Sequence, residues 1–203
     1  AGPSSAECLR CPPGSACASP ALPPVACPTG SYSLGGATSC TACPAGYYCP
    51  SSSASIRVPC PAGSFSLGGT ASCTPCPAGV ACSRTDSELG RSACTSGWFS
   101  PLGVSNCTEC PAGTVCPNVD GSGRYACIPG TYSAAGTSSG CTNCPAGSAC
   151  PDPAAPGAVV ACTTGYYALA RSTACSLCPA GSACPTTSTA PQRCAAGTVA
   201  PAG

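Results

Sequence analysis

The sequence predicts a small disulfide-rich fold, mostly irregular with short β-hairpins, laid out as a linear array of six four-cysteine repeats. Three observations carry this. Cysteine supplies 24 of 203 residues, with glycine and proline at 25 each. The cysteines recur at fixed intervals. The material for an ordinary core is thin: aromatics are 5%, methionine is absent, and the 43% of hydrophobic residues is mostly Ala and Cys. A chain short of large apolar side chains, with cysteine near one residue in eight, reads as a covalent scaffold.

The repeat is the strongest signal. Cysteines fall in groups of four at 8, 11, 17, 27; 40, 43, 49, 60; 73, 76, 82, 94; 107, 110, 116, 127; 141, 144, 150, 162; and 175, 178, 184, 194. Within each group the first two steps are 3 and 6, the third is 10 to 12, and the step to the next group is 13 or 14. The period is therefore 32 to 34 residues. Six repeats follow: 1–33, 34–66, 67–100, 101–133, 134–168 and 169–203.

Each group carries two C-x-x-G elements. The first is Cys43-Pro44-Ala45-Gly46 and its copies, with Cys11-Pro12-Pro13-Gly14 as a variant. The second starts at the fourth cysteine, as in Cys27 to Gly30 and Cys60 to Gly63. Proline presets φ and glycine accepts a positive φ, so both are expected to be tight turns. After the second glycine comes an aromatic in most repeats (Tyr32, Phe65, Trp98 with Phe99, Tyr132, Tyr166 with Tyr167), then a small-residue turn such as Leu34-Gly35-Gly36. This reads as a short hairpin whose ring covers a disulfide of its own or a neighbouring repeat. A stacking role toward carbohydrate is the competing use of these rings.

C-x-x-C occurs six times. A thioredoxin-type site would need a βαβ scaffold and a low-pKa thiol; Pro-rich flanks and sixfold repetition point elsewhere. A Cys₄ zinc site would need two such pairs, each repeat has one, and His is absent. Structural disulfides in an oxidising compartment are expected, and no metal or cofactor. Two connectivities stay open. One is interlaced within a repeat, first with third and second with fourth. The other closes the aromatic hairpin, fourth cysteine with the next first: Cys27–Cys40, Cys60–Cys73, Cys94–Cys107, Cys127–Cys141 and Cys162–Cys175, with local pairs such as Cys43–Cys49. The second is favoured because a loop of 13 suits one closing bridge. It leaves Cys8 and Cys194 without partners inside the chain. Each bridge removes roughly 2 to 3 kcal/mol of unfolded-state entropy, and the array is expected to be a rod whose repeats touch mainly their neighbours. The segments Ala1 to Glu7 and Thr198 to Gly203 resemble the two halves of one hairpin loop. The expectation is a segment of a longer array or a subunit stacking head to tail.

Net charge is +1, with seven Arg and no Lys or His, so neither a nucleic-acid patch nor a cation-binding run is present. No apolar stretch approaches the ~20 residues that span a bilayer; Gly157 to Ala161 is the longest. Catalysis lacks its usual residues. The six carboxylates (Glu7, Asp86, Glu88, Glu109, Asp120, Asp152) are scattered over the repeats, with Asp86 and Glu88 together on a polar loop. An enzyme is not expected. Asn106-Cys107-Thr108 fits the N-glycosylation rule, and Ser51-Ser52-Ser53 and Thr186-Thr187-Ser188-Thr189 suit O-glycans. The third repeat diverges most, with Ser83-Arg84-Thr85-Asp86-Ser87-Glu88 and Trp98-Phe99, and is where a ligand face would lie.

The unit C-x-x-C-P-A-G-x-x-C-P…P-C-P-A-G-[ST]-[YF]-S, seen from Cys40 to Ser66, resembles the cysteine-rich ephrin-receptor-like repeats, and more loosely tumour-necrosis-factor-receptor and EGF-like modules. The resemblance runs from Cys8 to Gly197 and implies an extracellular module used as spacer, receptor or fibre component. Arg without Lys, in an Ala-, Gly- and Pro-rich chain, suggests a GC-rich genome such as a green alga's. Algal flagellar hairs, the mastigonemes, are built from cysteine-rich glycoproteins of this general kind. The resulting expectation is an extracellular or flagellar-surface structural glycoprotein, a filament or stalk component that associates head to tail or with flanking repeats. A receptor-type ligand-binding ectodomain is the alternative.

Overall fold

In the computed structural model, residues 8–52, 57–86, 91–154 and 159–203 are described. Ala1 to Glu7, Ser53, Ser87, Glu88 and Gly157 lie outside them. The fold is small and disulfide-rich, and the described residues contain no helix. Their regular structure consists of antiparallel two-stranded hairpins with two or three residues per strand. Among the described residues no helix is long and apolar enough to cross a membrane. The chain divides into two compact units: Ala1–Ala93 with Ser100–Cys107, and Cys94–Phe99 with Thr108–Gly203.

The local rule is the same throughout. A C-x-x-G turn opens a hairpin, and the first residue after the glycine donates back to the residue after the cysteine, as in Tyr47 N–H to Pro44 C=O (3.2 Å) and Ser64 N–H to Pro61 C=O (3.0 Å). The turn glycines hold φ between 75° and 87°, the positive φ that a type II turn needs at this position. Two residues then pair across the loop, as Ser31–Tyr32 do with Thr41–Ala42 and Ser64–Phe65 with Thr74–Pro75. The N–H of the cysteine that opens the next C-x-x-G turn closes the hairpin on the glycine C=O: Cys43 on Gly30, Cys60 on Gly46 and Cys76 on Gly63, each at 2.8 Å.

Both C-x-x-G elements of a repeat do this, although the sequence pattern predicts a hairpin for the aromatic element alone. The first element also opens one, pairing Ser15–Ala16 with Val25–Ala26, Tyr47–Tyr48 with Val58–Pro59, and Ser148–Ala149 with Val160–Ala161. The structural period is therefore half the sequence period, 16 to 18 residues between successive turn cysteines. Two hairpin types alternate because their bridges differ. In the short-bridge type the disulfide spans six residues on the first strand: Cys11–Cys17, Cys43–Cys49, Cys76–Cys82, Cys110–Cys116, Cys144–Cys150 and Cys178–Cys184. In the long-bridge type it closes the whole loop: Cys27–Cys40, Cys60–Cys73, Cys127–Cys141 and Cys162–Cys175. Cα–Cα separations run from 5.6 to 6.1 Å, in the span a disulfide needs. Cys94 and Cys107 are also disulfide-bonded. Cys8 and Cys194 are free.

The buried interior is mostly sulfur: Cys76, Cys110, Cys144 and Cys150 are fully buried, and so are Val115 and Ser100. Hairpins of the same type meet through backbone. In the first unit, a Cβ on Gly30 would overlap the Gly69 carbonyl, and one on Gly63 the Gly103 carbonyl. In the second unit, Gly97 meets Gly136, and Gly130 meets Arg171, in the same way. Short-bridge hairpins repeat the device: Gly46 faces Asp86, and a Cβ added to Gly113 would lie 2.6 Å from the Ala154 Cα. Neighbouring hairpins of unlike type share hydrogen bonds, such as Gly46 N–H to Ser66 C=O at 2.9 Å and Gly147 N–H to Ala168 C=O at 2.8 Å.

Two glycines separate these effects. Gly63 combines φ 83° with the overlap on Gly103, whereas Gly69 has φ 65° and open space around its Cβ position. Gly69→Ala is expected to cost about 1 kcal/mol through backbone strain, and Gly63→Ala about 2 to 4 kcal/mol. Thermal midpoints of the two oxidised variants check this; equal losses would refute the close-approach account.

Candidate interaction surfaces

The aromatic of each long-bridge hairpin sits two residues after the turn glycine, and two of these rings pack on the following short-bridge disulfide. Phe65, 7% exposed, packs on Cys76–Cys82 in the first unit, and Phe99, 5% exposed, on Cys110–Cys116 in the second. The ring covers the neighbouring bridge. An arginine covers the ring in turn: Arg57 lies over Tyr32 (5.5 Å to the ring centre), Arg91 over Phe65 (4.7 Å) and Arg124 over Phe99 (4.3 Å). Each of these arginines stands three residues before a fourth cysteine, at 60, 94 and 127. That regularity is present in the sequence, and it is the signal that could have revealed the ladder. The rings available for contact with other molecules are different ones: Tyr47, Trp98, Tyr125 and Tyr166 are each 40–49% exposed.

The divergent loop of the third repeat uses its polarity locally. The Arg84 guanidinium donates to both carboxylate oxygens of Asp86 at 3.0 Å, on exposed side chains. This pairing raises the Arg84 pKa above its ordinary value. The loop backbone is spent on packing: Thr85 C=O accepts from Ser66 N–H at 2.9 Å, and the Asp86 Cβ lies against Gly46.

Other carboxylates behave as turn caps in separate hairpins. Asp120 accepts from Ser122 N–H at 2.8 Å, which holds its carboxyl below the usual range, and Asp152 accepts from Ala154 N–H at 2.9 Å. Glu109 pairs across the strands with Trp98. The described residues contain no group of three or more His, Cys, Asp or Glu placed to hold a metal ion. Asn106 is exposed, and its side-chain amide donates to Ser105 Oγ at 3.4 Å. The middle residue of its sequon, Cys107, is bridged. Thr186, Ser188 and Thr189 share hydroxyl hydrogen bonds on an exposed loop.

Removing one arginine tests the ladder. Arg124→Ala is expected to lower stability by about 0.5 to 1 kcal/mol, whereas Arg193→Ala, on an exposed strand of the same unit, should stay within about 0.5 kcal/mol of the parent. Denaturant midpoints decide; equal effects would remove the arginine from the packing scheme. In comparisons with known proteins, no family model and no curated sequence matches the chain.

Proposed function

We propose that the chain is an extracellular structural glycoprotein, a filament or stalk component of the cell or flagellar surface built from disulfide-stapled hairpins. The observation that carries this reading is uniformity. Hairpin after hairpin makes the same turn and the same closing hydrogen bond, and the long-bridge hairpins that open at Gly30, Gly63, Gly97 and Gly130 share the same glycine-to-backbone approach. The most divergent loop is used for packing on Gly46. A chain that repeats one joint is suited to length and resistance more than to recognition. The disulfide content belongs to proteins that mature in an oxidising, secretory environment. The resemblance to ephrin-receptor-like repeats supports the same class, and a mastigoneme-like fibre is its sharpest form.

In this reading the chain is not an enzyme, since it has no His or Lys and its carboxylates are dispersed. Association is head to tail or with flanking repeats. Glycans occupy Asn106 and the exposed Thr186 to Thr189 loop, where few charges compete for the surface. A receptor-type ectodomain is the competing reading, favoured by the exposed Arg84–Asp86 pair and the half-exposed Trp98.

Negative-stain imaging of native material tests the reading. Fibres of regular diameter are expected. Dispersed particles, together with loss of a partner on alanine substitution of Arg84 and Asp86, would replace it with the receptor reading.

A further inference from the structure

We infer that the Cys60–Cys73 cystine is a thiol–disulfide exchange site, at which a small uncharged thiol attacks Cys73 and releases Cys60. The site needs one hairpin of the first unit and no second copy, so it stands apart from the fibre reading.

Attack on a disulfide needs access to one of its sulfurs, and the two hairpin types differ in what they offer. The short-bridge cystines that flank Cys60–Cys73 are sealed. Cys43 and Cys49 are each 1% exposed, Cys76 and Cys82 are 0% and 4% exposed, and Phe65 packs on the second pair. Cys110, Cys116, Cys144 and Cys150 are buried in the same way in the second unit. The long-bridge cystines are lopsided. Cys27, Cys60, Cys127 and Cys162 are buried, whereas their partners Cys40, Cys73, Cys141 and Cys175 are partly exposed. Placement explains the difference. The buried member opens a turn and is tied to the preceding hairpin, as Cys60 N–H is to Gly46 C=O at 2.8 Å. The exposed member stands at the far end of the loop, as Cys73 does just before the strand Thr74–Pro75.

What singles out Cys60–Cys73 is a groove. Its volume is about 330 Å³, and Tyr48, Pro61, Ser64, Ser72, Cys73 and Pro75 line it, all within the first unit. That is the lower end of the range, about 300 to 1,000 Å³, in which small ligands bind. Cys73 lines the groove and Cys60 does not. A nucleophile entering it therefore meets the sulfur of Cys73, and Cys60 is the leaving group. The wall is particular to this hairpin. Tyr48 stands two residues after its turn glycine, where the other short-bridge hairpins carry Ala16, Ala81, Val115, Ala149 and Ala183. Pro75 stands where the other long-bridge hairpins carry Ala42, Glu109, Asn143 and Leu177. One phenol ring, two proline rings and two hydroxyls, with no charged group among them, suit an uncharged ligand. The class is a neutral small thiol, such as a cysteine within an uncharged peptide segment.

The step balances without an oxidant or reductant. The incoming thiol gives its proton to solvent, and its thiolate attacks Cys73 Sγ. A bond forms between the two sulfurs as the Cys60–Cys73 bond breaks. The electron pair leaves on Cys60, which takes up a proton, so one disulfide replaces another. The Cys60 thiolate reverses the step by attacking Cys73 and expelling the ligand thiolate. Opening this bridge releases the loop that carries Gly69, the backbone on which Gly30 rests. Capture of the thiol thus loosens one joint of the first unit.

The test uses the oxidised 203-residue chain carrying Cys8→Ser and Cys194→Ser, so that neither free thiol reshuffles the bridges. The protein is treated with a limiting amount of N-acetylcysteine amide, quenched in acid, alkylated and mapped by mass spectrometry. The first product is expected to carry the added thiol on Cys73 and the alkyl label on Cys60. It should form about tenfold faster than any product at Cys43–Cys49 or Cys76–Cys82, and ahead of any at Cys27–Cys40. Ser72 is exposed and lines the groove, so a charge placed there acts on the attacking thiolate. Ser72→Asp should slow the exchange and Ser72→Arg should speed it, each by roughly threefold in low salt, with the thermal midpoint of the oxidised protein unchanged. Glutathione, an anionic thiol, should react more slowly than the neutral thiol at equal thiolate concentration; a faster reaction would overturn the uncharged class. First exchange at another bridge, added thiol on Cys60, or Ser72 variants that keep the parent's rate would overturn the site.

Discussion

A hairpin with two residues in each strand does not hold itself together in water, and this chain is made of such hairpins. What fixes each one is a closed cystine in register with a glycine turn. The bridge brings two Cα atoms to within about 6 Å, and the turn glycine turns its carbonyl toward the N–H of the next turn cysteine. Every other contact depends on that geometry. The aromatic reaches the neighbouring bridge because the strand starts at a fixed residue after the glycine. The arginine reaches the ring because it stands at a fixed distance before the next turn cysteine. The lack of a side chain at that glycine then lets another backbone approach to a distance no Cβ would permit. Sulfur and bare backbone do here what leucine and phenylalanine do in a larger core.

Much of this was legible in the cysteine spacing. The separation of 13 between Cys27 and Cys40, opening on a turn and carrying an aromatic, favoured a hairpin closed by one bridge over an interlaced pairing. The pairing of Cys43 with Cys49 follows once those positions are taken. The second hairpin of each repeat was harder to see. Its loop, for example 49 to 60, has no Gly-Gly turn and no fixed aromatic, and its bridge lies along one strand instead of across two. The glycine-to-backbone contacts were hidden for a different reason. The turn already explains each of those glycines, so the sequence holds no separate mark for the second role that Gly63 plays against Gly103. Arg57, Arg91 and Arg124 did leave a mark, a constant offset from the fourth cysteine, but only three of the six repeats carry it.

The division of labour bears on function. Side chains that point inward are cysteines, small hydroxyls such as Ser33, Ser66 and Ser100, and the covered rings. These are set by the joint and recur with it. Side chains that point outward, among them Leu34, Leu67, Leu102, Asn106, Thr186 and Thr189, are free of that constraint. A molecule built this way can change its surface, through glycans or loop substitutions, without disturbing what holds it together. The carboxylates of Asp120 and Asp152 likewise serve only their own hairpins, each capping its turn.

The claim that cystine takes the place of an apolar core is tested most directly by amide hydrogen exchange before and after complete reduction of the bridges. The turn-closing amides of Cys43, Cys76, Cys144 and Cys178 report on hairpins in both units. Strong protection in the oxidised protein, falling to the rate of an unstructured chain on reduction at ambient temperature, is the predicted result. Protection of those amides that persists in the fully reduced chain would contradict it.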